Sequence, residues 1–428
     1  MGLKKISIQE LCTGMFISEL DISWQKTPFF RHKRLVTEQQ DIELLKQAGV
    51  EWLVIDISKS KLSRVKSKVK IMADASSIVL EQPEAVLVEI QVETPKVKPK
   101  SFAPKVALKQ ELKAAKQVQN EILEAVKTLQ KACERGEVIS SEAVNPVVEK
   151  TLNSIDNNSQ AMMALLHEGR DGSKVTMHSF GVFALVLLLS THLEYSVEDQ
   201  QELGLAALIH DAGWTKLPIH LMSKGKHYTP TEKKLVTQHI TIVKKMLKDQ
   251  PEISSRVMSV VEQHHEFLDG SGYPKQLKGD DIDPWSRLLT TCNEYDEMVH
   301  GLGEHPGMTP QSALSSLFRL SKKGKLDPLY TTHLISLLGV YPIGSVVQLT
   351  NEKIGIVVEV NQVEPLKPKV KIFYERAGKE SHLKAVVDLM DIDEKVLRVL
   401  DVGGADEELD PKSLLLFSVD MVEYTQSV

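Results

Sequence analysis

The chain has 428 residues, a formal net charge of -6 and 42% hydrophobic residues, the composition of an ordinary globular protein. That length exceeds one compact core and predicts two to four domains, while the mild acidity argues against a global field for nonspecific nucleic-acid binding. Cys12, Cys133 and Cys292 lie far apart with no Cys-x-x-Cys, which supports neither a disulfide framework nor a zinc ribbon and suits a reducing cytoplasm.

Taken in chain order, the opening residues lack an apolar signal core. Residues 1–64 read as a small α/β domain. Thr37 with Gln40 makes a capping box, Ile42, Leu44, Leu45 and Ala48 form a buried stripe, and Gly49 ends the helix before a strand from Trp52 to Ile57. Asp21, Trp24, Phe29 and Phe30 suit either a ligand surface or, more commonly for aromatics after a proline turn, a core. Residues 65–105 read as a partly disordered linker, broken by Pro83, Pro95, Pro99 and Pro104.

Helical periodicity resumes at Val106 and runs, with a turn near Gly136, to about Glu168; these helices dock on the rest of a bundle or pair between protomers. The whole of 106–338 reads as helical. Its most apolar run, Phe180 to Ser190, is shorter than the roughly 20 residues that cross a bilayer, so no membrane span is expected. From 339 to 428 the pattern becomes β-like, with strands expected at Val346–Leu349, Lys353–Val360 and Pro368–Tyr374 and with Gly344 and Gly355 as turn or bulge residues. The fold class is thus multi-domain: a mainly α-helical bundle with a small N-terminal α/β domain and a small β-rich C-terminal region.

The chemistry is concentrated in the bundle. His264 and His265 precede a glycine-rich, acid-bearing turn, Asp269 to Pro274. Imidazole nitrogen suits zinc, iron and manganese, and such ions activate water toward phosphoesters at neutral pH. His178 lies in a run too apolar for a surface helix. The pair His210 and Asp211 ends a helix that starts near Ser196, with Asp199 completing a capping-box-like signature. A third helix opens at Thr229, with Pro230 in its first position and Glu232 closing a capping box, which puts His239 about two turns inside. A fourth spans roughly Ile253 to Glu266. Each histidine alone reads as hydrogen-bonded core. Together, five histidines and one aspartate on helices of one segment fit a two-metal cage in which Asp211 bridges. His220 and His227, in a polar loop, are left as solvated.

These residues resemble the HD-GYP phosphohydrolases, a branch of the HD superfamily. The likeness rests on His178-Ser179, on His210-Asp211-x-Gly213, on His239 and on the segment from His264 through Gly270, Gly272, Tyr273 and Pro274. Residues from Lys5 to Asp56 are similar to a small domain of unknown function, of the DUF3391 type, that often precedes this domain in bacterial proteins. The resemblance implies a helical domain that holds iron or manganese, with His178, His210, Asp211, His239, His264, His265 and position 293 as metal ligands, and that hydrolyses cyclic di-GMP to pGpG and GMP. It also implies a Gly-Tyr-Pro loop, Gly270, Gly272, Tyr273 and Pro274, that engages the base or a signalling-domain partner. A homodimer is compatible; a nucleic-acid polymer is not expected as a partner.

Five positions depart from the family pattern. Trp214 stands where a phosphate-contacting lysine is usual, leaving Lys216 as the nearest cation and, with Asp211, the expected catalytic pair. Asn293 replaces the late metal-binding aspartate, ahead of Glu294, Tyr295 and Asp296. Leu302 and His305 occupy positions that are usually cationic. Lys174 replaces a glutamate used for a third metal, so at most two are expected. Two functions of different class follow: a metal-dependent cyclic di-GMP phosphodiesterase, or a catalytically weakened module that binds a cyclic dinucleotide or a partner.

Overall fold

A computed structural model describes residues 3–8, 11, 15–20, 34–36, 42, 45, 50, 52–56, 104–139, 141–166, 174–361, 364–376, 379–380 and 385–400. It divides the chain into two compact units, Met1–Gln82 and Pro83–Val428.

In the first unit, strands β1 (Leu3–Ser7), β2 (Phe16–Leu20), β3 (Arg34–Leu35) and β4 (Trp52–Asp56) form an antiparallel sheet in the order β1-β4-β2-β3. Leu3 pairs with Asp56 and Ser7 with Trp52, so Leu53 and Ile55 fall on the face that Ile17 also presents. These residues bury themselves with Val36, Ile42, Leu45 and Val50. Ile42 and Leu45 are helical and buried as the stripe requires; the rest of the expected helix lies outside the described residues, as do Asp21, Trp24, Phe29, Phe30 and residues 65–103 of the expected linker.

The second unit is built on helices. The first two are α1 (Leu108–Arg135) and α2 (Ser141–Leu166), with Gly136 between them at φ 67, a left-handed cap that glycine adopts without strain. They pack on each other and on α3 (Lys174–His192), α1 reaching α4 (Val197–Ile209) as well. Helix α3 is long and apolar enough to cross a membrane by length and composition, yet it is the buried centre of the bundle: Phe180 and every residue from Val182 to Leu189 are wholly inaccessible. Burying each of its Val, Leu and Phe side chains contributes about 1.5–3 kcal/mol.

Caps fix where the next helices begin. Ser196 Oγ accepts from Asp199 N at the start of α4. Thr229 and Glu232 complete the capping box of α5 (Pro230–Val236). Helix α5 then stops, and Thr237 separates it from α6 (Gln238–Leu247). His239 is therefore the second residue of a new helix rather than two turns inside one, a correction that bears on its chemistry below. Ser254 caps α7 (Ser255–Gln263), shorter than the pattern suggested, and Asp283 with Pro284 starts α8 (Pro284–His300). Helices α9 (Pro310–Lys322) and α10 (Pro328–Leu338) close the bundle.

The C-terminal sheet comprises β5 (Val346–Leu349), β6 (Ile354–Glu359), β7 (Lys369–Arg376), β8 (Lys379–Glu380), β9 (Val386–Asp388) and β10 (Val396–Val399). Its order is β10-β5-β6-β7-β8, with β9 also on β7. The alternation of strand side chains splits it between two cores. Val347, Val357, Val370 and Ile372 join the bundle core, whereas Val346, Ile356, Val358 and Phe373 form a second cluster. Gln160 on α2 pins the sheet: its Oε1 accepts from Val360 N at 2.9 Å. Gly344 turns at φ 90, and Gly355 sits at a break in the β6–β7 register, where a Cβ would lie 2.3 Å from the Lys371 carbonyl.

Candidate metal centre

Three helix ends build the centre by one device. The last carbonyls of a helix have no intrahelical partner. Ala207 O near the end of α4 accepts from His210 Nδ1, Val236 O at the end of α5 accepts from His239 Nδ1, and Val261 O near the end of α7 accepts from His264 Nδ1, each at 2.7 Å. A carbonyl only accepts, so each Nδ1 carries the proton and each Nε2 presents a lone pair inward. The break after α5 is what frees Val236 O for His239.

The fourth imidazole comes from α3. His178 Nδ1 donates to Asp296 Oδ2 on α8 at 2.7 Å, the carboxylate-histidine arrangement that commonly stands behind a metal ligand. Its Nε2 faces Asn293 Oδ1 at 2.9 Å, His210 Nε2 at 3.4 Å and Asp211 Oδ2 at 3.5 Å.

Asp211 joins two halves. Its Oδ2 lies 3.5 Å from His178 Nε2 and 3.7 Å from His210 Nε2, while its Oδ1 lies 3.5 Å from both His239 Nε2 and His264 Nε2. His178, His210 and Asp211 form one set of ligand atoms within 4.8 Å of one another; Asp211, His239, His264 and His265 form another. Asp211 Oδ1, His239 Nε2 and His264 Nε2 are buried and have no hydrogen-bond partner among the described residues. Orphaned buried lone pairs that converge from three directions are costly unless a cation fills the space between them. The donor set, imidazole nitrogen with one carboxylate, suits a transition metal.

Two glycines permit the approach. A Cβ at Gly213 would sit 2.1 Å from His239 O, so only glycine lets the turn after Asp211 lie against the start of α6. A Cβ at Gly272 would sit 2.5 Å from His265 O. There the loop folds back on the histidine pair: Tyr273 N donates to His265 O at 3.1 Å, and the Tyr273 ring stacks on His265 at 4.7 Å and 21°. Gly270, at φ 79, shapes the same turn, and the Tyr273–Pro274 bond is cis. Glu266 holds the far side by accepting from Lys275 N at 2.6 Å and Leu277 N at 3.1 Å. Asp269 braces the turn through Ser271 N rather than reaching the cage.

The electrostatics follow from burial. Burial pushes His210 down to about 3 and His239 to about 4, and holds His265 well below the usual imidazole value, so all three are neutral donors near pH 7. His178 goes the other way. Burial disfavours its charge, yet the hydrogen bond to Asp296 and the charges of Asp296, Asp211 and Glu297 raise it to about 9. Asp211 stays well below the carboxylate range: burial opposes its ionisation, and the surrounding imidazoles outweigh that.

The departures from the family pattern have structural expression. Trp214 is buried, stacks on His239 at 5.4 Å and 19°, and packs with Leu302, Val175, Leu221, Met222 and Val236 in one apolar cluster. Two of the positions expected to be cationic, 214 and 302, thus form a shared apolar wall beside the cage. Lys216 ends the short turn Ala212–Lys216 with an exposed side chain and makes no ion pair or hydrogen bond among the described residues. His305 faces Glu294 at 3.8 Å. Sequence reasoning missed Glu297, whose Oε1 accepts from Asn293 Nδ2 at 3.1 Å. The available signal was its spacing, one helical turn after Asn293. His227 is 97% exposed, in keeping with its solvated reading.

Residues 143–329 match the HD domain, residues 3–144 a domain of unknown function, DUF3391, and residues 346–397 a KOW domain associated with HD domains. The bundle and its histidine-aspartate cage are those of an HD-domain protein. A cyclic di-GMP phosphodiesterase from Pseudomonas aeruginosa is 28% identical over 390 residues, 90% of this chain and 89% of that one. A cyclic di-GMP phosphodiesterase from Borreliella burgdorferi is 21% identical over 45% of this chain and 51% of its own, and a 3'3'-cGAMP-specific phosphodiesterase from Vibrio cholerae is 29% identical over 35% of each. The chain thus carries an HD domain with a DUF3391 domain ahead of it, and over nine tenths of its length it is similar to a cyclic di-GMP phosphodiesterase.

Proposed function

We infer that this protein is a metal-dependent phosphodiesterase that hydrolyses cyclic di-GMP to pGpG and GMP in bacterial second-messenger signalling. The observation that carries the reading is Asp211, whose two oxygens face two separate buried imidazole sets. We assign two divalent ions, iron or manganese: His178, His210 and Asn293 on one side, His239, His264 and His265 on the other, with Asp211 between. Such ions supply an activated water and neutralise the phosphoryl oxygens. The chain's own residues fix the donors. The three helix-end carbonyls and Asp296 hold each ring, and the folded-back Tyr273 loop covers His265. Gly270, Gly272, Tyr273 and Pro274 are assigned to the substrate base or to a partner domain, and Lys216 to a substrate phosphate. The domain division 1–64, 65–105, 106–338 and 339–428 and a cytoplasmic location go with this reading.

The test is cyclic di-GMP turnover by protein purified without oxygen and supplied with manganese, against a His210→Ala, Asp211→Ala control. Turnover lost in the control is expected; equal turnover in both would refute the assignment. One observation favours a second reading. The apolar wall of Trp214 and Leu302 beside His239 offers no cation to a phosphate, as in a protein that binds the dinucleotide or a partner without cleaving it. Metal content with binding but no turnover selects that reading.

A further inference from the structure

Asn293 contributes only a neutral amide oxygen to the candidate metal centre, and a neutral carbonyl attracts a second cation less than a carboxylate does. The amide is wholly buried and has a partner at each end. Its Oδ1 faces His178 Nε2 at 2.9 Å, and its Nδ2 donates to Glu297 Oε1 at 3.1 Å. A carboxylate accepts and does not donate, so Glu297 decides which way the amide points: nitrogen outward to the glutamate, oxygen inward to the cage. The spacing is that of one helical turn on α8, which places the two side chains on one face. Glu297 also lies within the electrostatic reach of His178, Asp211 and His264; burial raises it to about 7, and a cation in the cage would favour its charged form.

We propose that Asn293 and Glu297 together serve as a displaced carboxylate, with Asn293 Oδ1 ligating the second metal and Glu297 acting as a positioning residue that orients the amide and returns the missing negative charge. The proposal rests on the two-metal reading above. A partner standing behind a ligand typically sets metal affinity by about 10- to 100-fold, which is the size of effect expected here.

The experiment is calorimetric titration of the full chain, stripped of metal and handled without oxygen, with manganese alone. The parent is expected to show two sites. Glu297→Ala should weaken one of them about 10- to 100-fold and leave the other within about twofold. Glu297→Gln, which keeps an acceptor for the amide without the charge, should weaken the same site by a smaller factor. Adding Asn293→Asp to Glu297→Ala should restore it. Unchanged affinities in Glu297→Ala and Glu297→Gln, or no recovery on adding Asn293→Asp, would overturn the proposal while leaving the cage intact. Fewer than two sites in the parent would overturn the two-metal reading itself.

Discussion

Gly213 lies so close to His239 that a methyl group on its Cα would sit 2.1 Å from the His239 carbonyl oxygen. That contact sets the distance between Asp211 and His239, because Gly213 follows the first by two residues and touches the second's backbone. Gly213→Ala is expected to cost about 1–3 kcal/mol of stability, as overpacking does, and to lower metal content by forcing the turn away from α6. Urea unfolding together with metal analysis of the purified variant checks both effects.

Trp214 stacks on His239 and fills the centre of an apolar cluster that includes Leu302. Trp214→Ala should cost about 3–5 kcal/mol, the range for truncating a buried tryptophan, and Trp214→Phe much less. Denaturant unfolding of the metal-free protein measures the difference free of any contribution from bound ions.

Proton release should accompany metal binding at His178. At pH 7.5 this ring, raised to about 9, carries a proton on each nitrogen; Asp296 keeps the one on Nδ1, so a ligated Nε2 must give up the other. Titration heats in buffers of different ionisation enthalpy should show about one proton lost to the buffer from this ring at pH 7.5 and less at pH 10. No buffer dependence at pH 7.5 would contradict the assignment.

Stability of the metal-free protein should also pass through a maximum in pH. His210 and His239 are depressed from 6.5 to about 3 and about 4, so the unfolded chain binds protons that the folded one refuses, and stability falls as pH drops below 6.5. His178 is raised to about 9, so its contribution is complete below 6.5 and is lost as pH rises through 9. Thermal unfolding across pH 4 to 10 should peak near 6.5.

Lys216 tests the remaining catalytic assignment. Lys216→Ala should raise KM for cyclic di-GMP and leave metal content unchanged, since its side chain is exposed and, among the described residues, makes no hydrogen bond or ion pair to the cage. Steady-state kinetics with metal analysis separates the two; an unchanged KM removes Lys216 from the site.

Much of this architecture was legible because its signals are local. Ser196, Thr229 with Glu232, and the apolar run of α3 each announce a helix through neighbouring residues, and the structure places helices there. The break at Thr237 was not legible. A run of helix formers from Glu232 to Lys248 hides a discontinuity stabilised from outside, by Gly213 packing on His239 and by a ring that takes the freed Val236 carbonyl. Glu297 escaped for a related reason: its meaning depends on which way the Asn293 amide points, a relation set by His178 from a distant helix. The apolar pairing of Trp214 with Leu302 likewise joins residues far apart in sequence.

The central claim is that one carboxylate serves two metal positions, and metal stoichiometry of Asp211→Ala beside the parent tests it most directly. Both proteins would be purified without oxygen, loaded with manganese, desalted and assayed for bound metal. A bridge predicts two ions in the parent and loss of both in the variant, because Oδ1 and Oδ2 face different imidazole sets. A variant that keeps one full equivalent of metal would show that Asp211 belongs to a single site, and the bridging account would fall.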